Sequence, residues 1–347
     1  AELAPDPLQH PAYASYSFAA DGATARIGYQ PFWVCGANVA EAMKRDRILE
    51  SSLRDLGLRG RFYPFLKGPD INAFVEQGSL DAGMCGDMPT LRIAATSRVL
   101  APALVDQGYV EMVAVRPMLT SELRGKRIGY PAGSDGHRIL LEVLDQEGTS
   151  ERDVRLVPMD VTDMPRALAS RCIDVCASWE PITSAILQQH PGSAVIHSGR
   201  YLSFFFFARR FAEKHPAAVR ALLAAEVRAL QWLSLGRSNV VRSSEWAVRS
   251  CAGLSAYGAE VGLGDFVSQS LKVSRASGLP LIPQADMRPN GHLYRVFRFL
   301  KEQGKLPEGT EWGEVRACYD RQIMSEILAH PATYRTDEFD YGSESQE

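Results

Sequence analysis

Residues 78–89 read GSLDAGMCGDMP, and residues 170–181 read SRCIDVCASWEP. Each copy has an apolar residue and an aspartate, then a run of small residues, and then a carboxylate followed by a proline. A second pair lies upstream, because residues 26–31 read RIGYQP and residues 127–131 read RIGYP. A pattern written twice in one chain predicts two related α/β lobes, and the cleft between two lobes is a place where small molecules bind.

The length and composition of the chain fit a globular protein of two domains. A chain of 347 residues corresponds to about two domains at roughly 150 residues each. A net charge of −3 provides no basic surface for nucleic acid or an anionic membrane, so we expect neither partner. The longest apolar run, around residues 204–208, is far shorter than the roughly 20 residues that cross a bilayer.

The six cysteines favour buried thiols over a metal or redox motif. No Cys-x-x-Cys spacing occurs, which argues against zinc and thioredoxin-type sites. A bridge between Cys35 and Cys85 stays open as an alternative if the protein is exported. The chain begins at Ala1 without an initiator methionine, and we interpret it as a processed or truncated chain, so the missing leader says nothing about export.

Strand and helix patterns alternate up to about residue 208, and only helical patterns follow. Predicted strands include 25–29, 109–116, 127–130, 195–197 and 202–208, and predicted helices include 38–51, 135–147, 182–189 and 312–329. Such alternation predicts mostly parallel sheets. Two crossings between lobes, near residues 109–116 and 201–208, predict a two-strand hinge. The predicted units are an extension at 1–22, lobe one at 23–113 with a return segment at 203–335, lobe two at 114–202, and an acidic, solvated tail at 336–347.

Ligands of open α/β sheets lie at the carboxyl ends of the strands, beside the helix N-termini that follow. Applied to the predicted strands, this rule selects a small set of turns. The predicted ligand-binding residues are Tyr29, Gln30, Trp33, Gly68, Pro69, Asp87, Ser134, Asp135, Gly136, His137, Trp179 and Glu180.

Each of these turns has a structural alternative. The backbone N–H groups of residues 133–137 suit an anion, and a helix cap formed by Ser134 or Asp135 is an equal alternative. Asp87 is either a cap or a ligand group, and Gly68-Pro69 also reads as a plain helix start. Glu180 beside an aromatic residue suits an ammonium or a polar N–H group, or else it pairs with a nearby arginine.

The sequence gives little support for catalysis. Tyr29, Gln30 and Trp33 offer an apolar wall and an amide, although a lone aromatic residue near a strand end is more often part of the core. The seven histidines are scattered, so neither a metal cluster nor a catalytic triad can be assembled. No phosphate-loop or dinucleotide-binding glycine pattern is present. We therefore predict no catalytic residue, metal or cofactor.

An ordered series of short stretches resembles the nitrate/sulfonate/taurine-type substrate-binding proteins of ATP-binding-cassette (ABC) importers, an NMT1-like family. The stretches are IGYQ at 27–30, GP at 68–69, GSLDAG at 78–83, GDMP at 86–89, LRGKRIG at 123–129, GSDGH at 133–137, WEP at 179–181 and FAEKHP at 211–216. The resemblance implies an α/β fold of the second periplasmic-binding type, with two lobes, a two-strand hinge, and C-terminal helices packed mainly on lobe one.

The same resemblance implies a function and a set of partners. A periplasmic, monomeric receptor would close on a small anion or zwitterion and deliver it to an ABC permease in the inner membrane. The turn from Ser134 to His137 would hold the anionic group, with Gly68, Asp87 and Glu180 around the remainder. Because buried carboxylates repel a purely anionic ligand, we expect an aminosulfonate or another zwitterion, similar to the taurine branch.

Two other functions are compatible with this fold. Relatives include enzymes of thiamine-pyrimidine synthesis and chorismate dehydratases, although the chain lacks the cysteine-rich iron-binding stretch of the former. A domain that senses a ligand and reports to a partner protein would share the same cleft. A response to sulfonates, or product formation from chorismate, would distinguish these hypotheses.

Overall fold

One mixed sheet of eight strands runs through the computed structural model, which describes residues 6–96, 98–276 and 280–342. The strand order across the sheet is β2-β1-β3-β8-β4-β7-β5-β6. The strands are β1 Thr24–Tyr29, β2 Arg59–Pro64, β3 Ala82–Gly86, β4 Val99–Ala114, β5 Arg127–Tyr130, β6 Arg155–Pro158, β7 Val175–Ser178 and β8 Ala194–Ala208.

Helices cover both lobes and form the C-terminal part of the described chain. They are α1 Val34–Met43, α2 Arg47–Asp55, α3 Gly68–Glu76, α4 Asp87–Ala94, α5 Asp135–Gln146, α6 Met164–Ala169, α7 Ile182–Gln189, α8 Arg209–Lys214, α9 Pro216–Ser234, α10 Arg237–Leu254, α11 Leu263–Ala276, α12 His292–Glu302, α13 Trp312–Arg316, α14 Gln322–Ala329 and α15 Pro331–Tyr334. Among the described residues, no helix has the length and apolar character needed to cross a membrane.

The two ends of the sheet repeat one arrangement, as the duplicated sequence predicts. In lobe one (β1–β3 with α1–α4), β1 lies between β2 and β3 with both pairings parallel. In lobe two (β5–β7 with α5–α7), β5 lies between β6 and β7 in the same way. The duplicated Asp81 and Asp174 each accept three hydrogen bonds of 2.7–3.0 Å from the backbone and guanidinium of an arginine, Arg26 or Arg127.

Two long antiparallel strands, β4 and β8, connect the lobes and confirm the predicted two-strand crossing. They pair from Val99↔Ala208 to Ala114↔Ala194, while β8 also joins β3 and β4 also joins β7. Two boundaries were wrong: β4 begins at Val99 and not near residue 109, and β8 is one strand where two were predicted at 195–197 and 202–208. Pro102 and Gly108, which are uncommon within strands, obscure the first half of β4.

Two predicted helices are each divided in the structure. The helix expected at 38–51 is replaced by α1 and α2, because Asp46 caps a new helix with its Oδ1 atom, which accepts from the N–H groups of Ile48 and Leu49 at 2.9 and 3.1 Å. The helix expected at 312–329 is likewise divided into α13 and α14. Helical periodicity alone does not show such interruptions.

The C-terminal helices pack mainly on lobe one, as expected, with α9 and α10 against α1 and α12 against α4. The prediction of a solvated tail holds for residues 337–340, which are exposed, and was wrong for Thr336, Tyr341 and Gly342, which are buried. Tyr341 is buried with its ring 4.4 Å from that of Trp232, and the Gly342 N–H donates to the Arg45 carbonyl at 2.9 Å. Residues 343–347 lie outside the described part of the chain.

The N-terminal extension is packed against both lobes over the residues that are described. Tyr13 is buried, and its hydroxyl donates to Asp70 at 2.6 Å and accepts from the Leu66 N–H at 2.9 Å. His10 reaches lobe two, where its Nε2 lies 2.9 Å from Asp160 Oδ2. The extension therefore bridges the two lobes at one edge of the cleft; residues 1–5 lie outside the described residues.

Candidate functional site

A cavity lies between the lobes, where the carboxyl ends of their parallel strands face each other. The repeated strand-to-helix turns of both lobes contribute to its wall, together with the β4–β8 crossing. The lining residues are Gln30, Trp33, Gly68, Gly86, Pro89, Val110, Ser134, Asp135, Trp179, Tyr201 and Ser203.

Three aromatic residues form the walls of the cavity. The indole N–H of Trp33, in lobe one, donates to the hydroxyl of Tyr201 on β8 at 2.9 Å. The indole N–H of Trp179, in lobe two, donates to the Phe32 carbonyl of lobe one at 3.0 Å. Because each N–H group is bonded to protein, the tryptophans present their apolar and π surfaces to a bound molecule.

Asp135 is the carboxylate that lines the cavity. It begins α5 in lobe two, yet its Oδ1 accepts from the Met88 N–H in the first turn of α4 in lobe one at 3.0 Å. Its Oδ2 lies over Gly86, where the Cβ of any other residue would come within 1.7 Å of it. Burial raises the pKa of Asp135, and the guanidinium of Arg138 at 3.1 Å acts in the opposite direction by favouring the ionised form.

A buried group of charges lies behind Asp135 and crosses the interface between the lobes. The guanidinium of Arg138 contacts Asp135 at 3.1 Å, Glu142 at 2.7 Å and Asp87 of lobe one at 3.4 Å. Asp87 Oδ2 also accepts from the Leu202 N–H at 2.9 Å and lies 2.8 Å from Nε2 of His292. Asp87 thus ties together both lobes, the crossing strand β8 and the C-terminal helix α12.

A second carboxyl, Asp106, lies behind the aromatic wall. It lies on β4 beside an irregularity in the pairing with β8, and its Oδ2 accepts from the Tyr201 hydroxyl at 3.2 Å. Its Oδ1 has no hydrogen-bond partner among the described residues. Complete burial raises the pKa of Asp106 to about 7, against the smaller lowering effect of its hydrogen bonds.

Several polar groups of the turn that opens α5 are bonded within the turn. The Gly133 N–H donates to His137 Nδ1 at 3.1 Å, the Ser134 N–H donates to the Pro131 carbonyl at 3.1 Å, and the Gly136 N–H donates to Ser134 Oγ at 3.1 Å. Ser134 Oγ in turn donates to the Pro131 carbonyl at 2.6 Å. Ser134 therefore caps α5, as one of the two alternatives predicts, and the anion-site alternative stays a prediction.

The structure brings half of the predicted binding residues to the cavity wall and places the others nearby. Those on the wall are Gln30, Trp33, Gly68, Ser134, Asp135 and Trp179. Those outside the lining set are Tyr29, Pro69, Asp87, Gly136, His137 and Glu180. Pro69 lies against Gly133 across the cleft, and Gly136 lies against Pro131 and the Ala177 carbonyl.

Three of the residues outside the lining set have local partners. The Tyr29 hydroxyl donates to Glu41 at 2.6 Å within lobe one. The His137 ring lies 4.7 Å from that of Tyr130, and burial lowers its pKa. The Glu180 carboxylate accepts from the N–H and hydroxyl of Ser184 at 3.1 and 2.8 Å, and burial raises its pKa.

Sequence reasoning missed the part of the site that the crossing strands supply. Val110, Tyr201 and Ser203 line the cavity from β4 and β8, and Asp106 supports them from behind. A polar Asp-Gln-Gly run at 106–108 beside apolar residues was the available signal. Gly86 and Pro89 lie within the repeated motif at 78–89, but the repeat itself does not indicate that they line the cavity.

Neither a disulfide nor a metal cluster is found in the described residues. Cys35 and Cys85 are both buried thiols, so the bridge that the sequence left open is not formed. No group of three or more histidine, cysteine, aspartate or glutamate residues in the described chain has the arrangement of a metal site.

Comparison with known proteins shows what this chain is similar to. A family model described as NMT1/THI5 like matches residues 119–234. An Escherichia coli (strain K12) protein named for binding aliphatic sulfonates is 30% identical over 209 residues, which are 57% of this chain and 63% of the relative. The chain therefore spans less than two thirds of that relative's length. The taurine-binding periplasmic protein of the same organism is 24% identical, with coverage of 85% and 92%.

Solved structures show the same fold. The alkanesulfonate-binding protein of Xanthomonas axonopodis pv. citri, bound to MOPS, has a TM-score of 0.65 and 23% identity, with 87% of this chain and 99% of that chain covered. A desulfurization enzyme is also similar, with a TM-score of 0.58 and 17% identity. At these identities the likeness establishes the fold alone, and it confirms the predicted periplasmic-binding architecture.

Proposed function

We propose that this chain, whose residues 119–234 match the NMT1/THI5-like family model, is the solute-binding component of an ABC importer. It captures a small organic anion or zwitterion, similar to a sulfonate or taurine, between its lobes and presents it to a permease in the inner membrane. It acts in the periplasm, as a monomer and without catalysing a reaction. The names of its sulfonate- and taurine-binding relatives support the ligand class.

The observation that carries this proposal is the cavity enclosed by both lobes. Each lobe contributes one tryptophan, and each indole N–H is bonded to a group outside its own lobe, Tyr201 on β8 or Phe32 of lobe one. A wall assembled from both lobes is complete only when they meet, so a solute that contacts both walls favours the closed arrangement. Coupling of binding to closure is what a receptor needs to signal its occupancy to a permease.

Thermal denaturation in the presence of separate solutes tests the proposal. We expect taurine, ethanesulfonate or a related solute at about 100 times its dissociation constant to stabilise the protein by about 2.7 kcal/mol, which raises the melting temperature by several degrees. The bound solute should be recovered chemically unchanged after prolonged incubation. No shift with sulfonates, aminosulfonates, nitrate or carboxylates would contradict the proposal, and conversion of the solute would indicate an enzyme.

A further inference from the structure

Most of the hydrogen-bond donors on the side chains that line the cavity already donate to other groups of the protein. The indole N–H groups of Trp33 and Trp179 are bonded to Tyr201 and to a backbone carbonyl. The hydroxyl of Tyr201 donates to Asp106 Oδ2, and that of Ser203 donates to the Asp106 carbonyl, both at 3.2 Å. The Ser134 hydroxyl is bonded to a carbonyl as well. An anion needs donors, and the side chains of this wall have few left.

Acceptors and negative charge are available in the same place. Asp135 Oδ2 accepts no hydrogen bond within the described residues and belongs to a residue that lines the cavity. Behind the wall, Asp106 Oδ1 is buried without a partner in the described part of the chain. The amide of Gln30 donates to the Met84 carbonyl at 3.0 Å, and its oxygen is a further acceptor.

No positive charge on the wall balances these carboxylates. Among the described residues that line the cavity there is neither lysine nor arginine. The buried guanidinium of Arg138 lies behind Asp135 and is shared by Asp135, Asp87 and Glu142, so three carboxylates face one arginine, with His292 alongside. The site therefore disfavours a solute that brings only negative charge.

We propose that the solute carries a cationic nitrogen, which forms an ion pair with Asp135 and lies against the aromatic faces of Trp33 and Trp179. The inference rests on the proposed function and narrows its ligand class to amines, either aminosulfonates and amino acids or amines without an acidic group. An ammonium supplies the donors that the wall lacks, and aromatic faces attract a cation. Gly86 contributes by leaving the space that Asp135 Oδ2 occupies.

Calorimetric titration with matched solute pairs tests this inference. Taurine and 2-hydroxyethanesulfonate differ only in the replacement of an ammonium by a hydroxyl, as do β-alanine and 3-hydroxypropanoate; 2-aminoethanol provides the ammonium without the anion. We expect the unaltered protein to bind the amine of at least one pair about tenfold or more tightly than its hydroxyl partner. Among these probes, each comparison changes the charge with little change of shape.

Two variants and one control assign the preference to the proposed contact. Asp135→Asn removes the charge and can still accept from the Met88 N–H, and Gly86→Ala displaces the carboxylate without altering any charge. Both should reduce the preference for the amine to near parity with the hydroxyl partner. Asp145→Asn, an exposed change on the same helix, should leave the preference intact. The pairs measured on the unaltered protein decide the question even if a variant fails to fold.

The outcomes separate this inference from the function on which it rests. Hydroxyl solutes that bind as tightly as their amine partners would overturn the inference and leave a sulfonate receptor standing. Binding of 2-aminoethanol alone would support the cationic contact and contradict an anionic ligand. If no solute of the series binds, both the inference and the proposed ligand class are wrong.

Discussion

At the scale of single residues, Asp106 connects the cavity to the crossing strands. Its carboxyl accepts from the hydroxyl of Tyr201, its carbonyl accepts from the hydroxyl of Ser203, and both of those residues line the cavity. The residue lies where the β4–β8 pairing is irregular, and such irregularities redirect side chains beside binding sites. Its burial disfavours the ionised form, so its contribution to the stability of the folded protein depends on pH.

The variant Asp106→Asn tests this pH-dependent contribution of the Asp106 carboxyl to stability. The folded-state pKa of about 7 lies above the ordinary value of 3.8, so the contribution of Asp106 to stability is fully present at low pH and is lost as pH rises towards and through 7. Between pH 5 and pH 8 we expect the free energy of unfolding of the variant to gain about 2–3 kcal/mol relative to the unaltered protein. Chemical denaturation at several pH values measures it. A difference that does not change with pH would show that the carboxyl is not titrating as inferred.

At the scale of elements, the duplicated arginine–aspartate contacts hold the first and third strands of each lobe together. Asp81 is buried and has Arg210 as an additional partner at 3.4 Å, whereas Asp174 is partly exposed. We expect Asp81→Asn to lower the free energy of unfolding by about 2 kcal/mol and Asp174→Asn by less than about 1 kcal/mol. Urea denaturation of both variants provides the comparison. Equal losses would mean that burial does not distinguish the two copies.

Much of the element order could be predicted because the repeat places strong local patterns at corresponding positions. Strand β5 and helix α7 have the predicted bounds, and β1 and α5 differ from theirs by one residue. The first half of β4 could not be recognised, since Pro102 and Gly108 are poor strand residues that the pairing with β8 retains. The start of β4 therefore depends on long-range pairing with β8, which local sequence patterns do not encode.

The residues of the candidate site also fall into two groups, those that local patterns predict and those that depend on long-range strand pairing. Turns after the parallel strands supplied the correctly anticipated wall residues, such as Trp33, Asp135 and Trp179, because strand ends of this fold converge on one cleft. Tyr201 and Asp106 were missed because they reach the cavity only through the antiparallel crossing. The orientation of His137 towards Tyr130 depends on packing that no sequence pattern shows.

At the scale of the whole molecule, contacts of three kinds join the lobes around the cavity. Backbone groups meet where the Val34 N–H donates to the Glu180 carbonyl at 3.3 Å. At one edge, Asp160 of lobe two pairs with Lys67 of lobe one and with His10 of the extension. Behind the cavity, Arg138 pairs with Asp87. Because these contacts lie at different edges, a hinge motion must break several of them together.

The Arg138 contact is the one whose loss should open the molecule most. Arg138→Met keeps the apolar stem but leaves Asp87, Asp135 and Glu142 without their shared cation, and like charges then face each other across the cleft. We expect a loss of about 3–5 kcal/mol in the free energy of unfolding and a larger radius of gyration in small-angle X-ray scattering.

Arg124→Met, which removes an exposed pair with Asp153 on the same lobe, should change neither quantity appreciably. A second change, Asp87→Asn, should restore part of the closure in the Arg138 variant, because it removes one of the repelling charges. If stability falls while the radius stays constant, the buried charges support the fold without controlling closure.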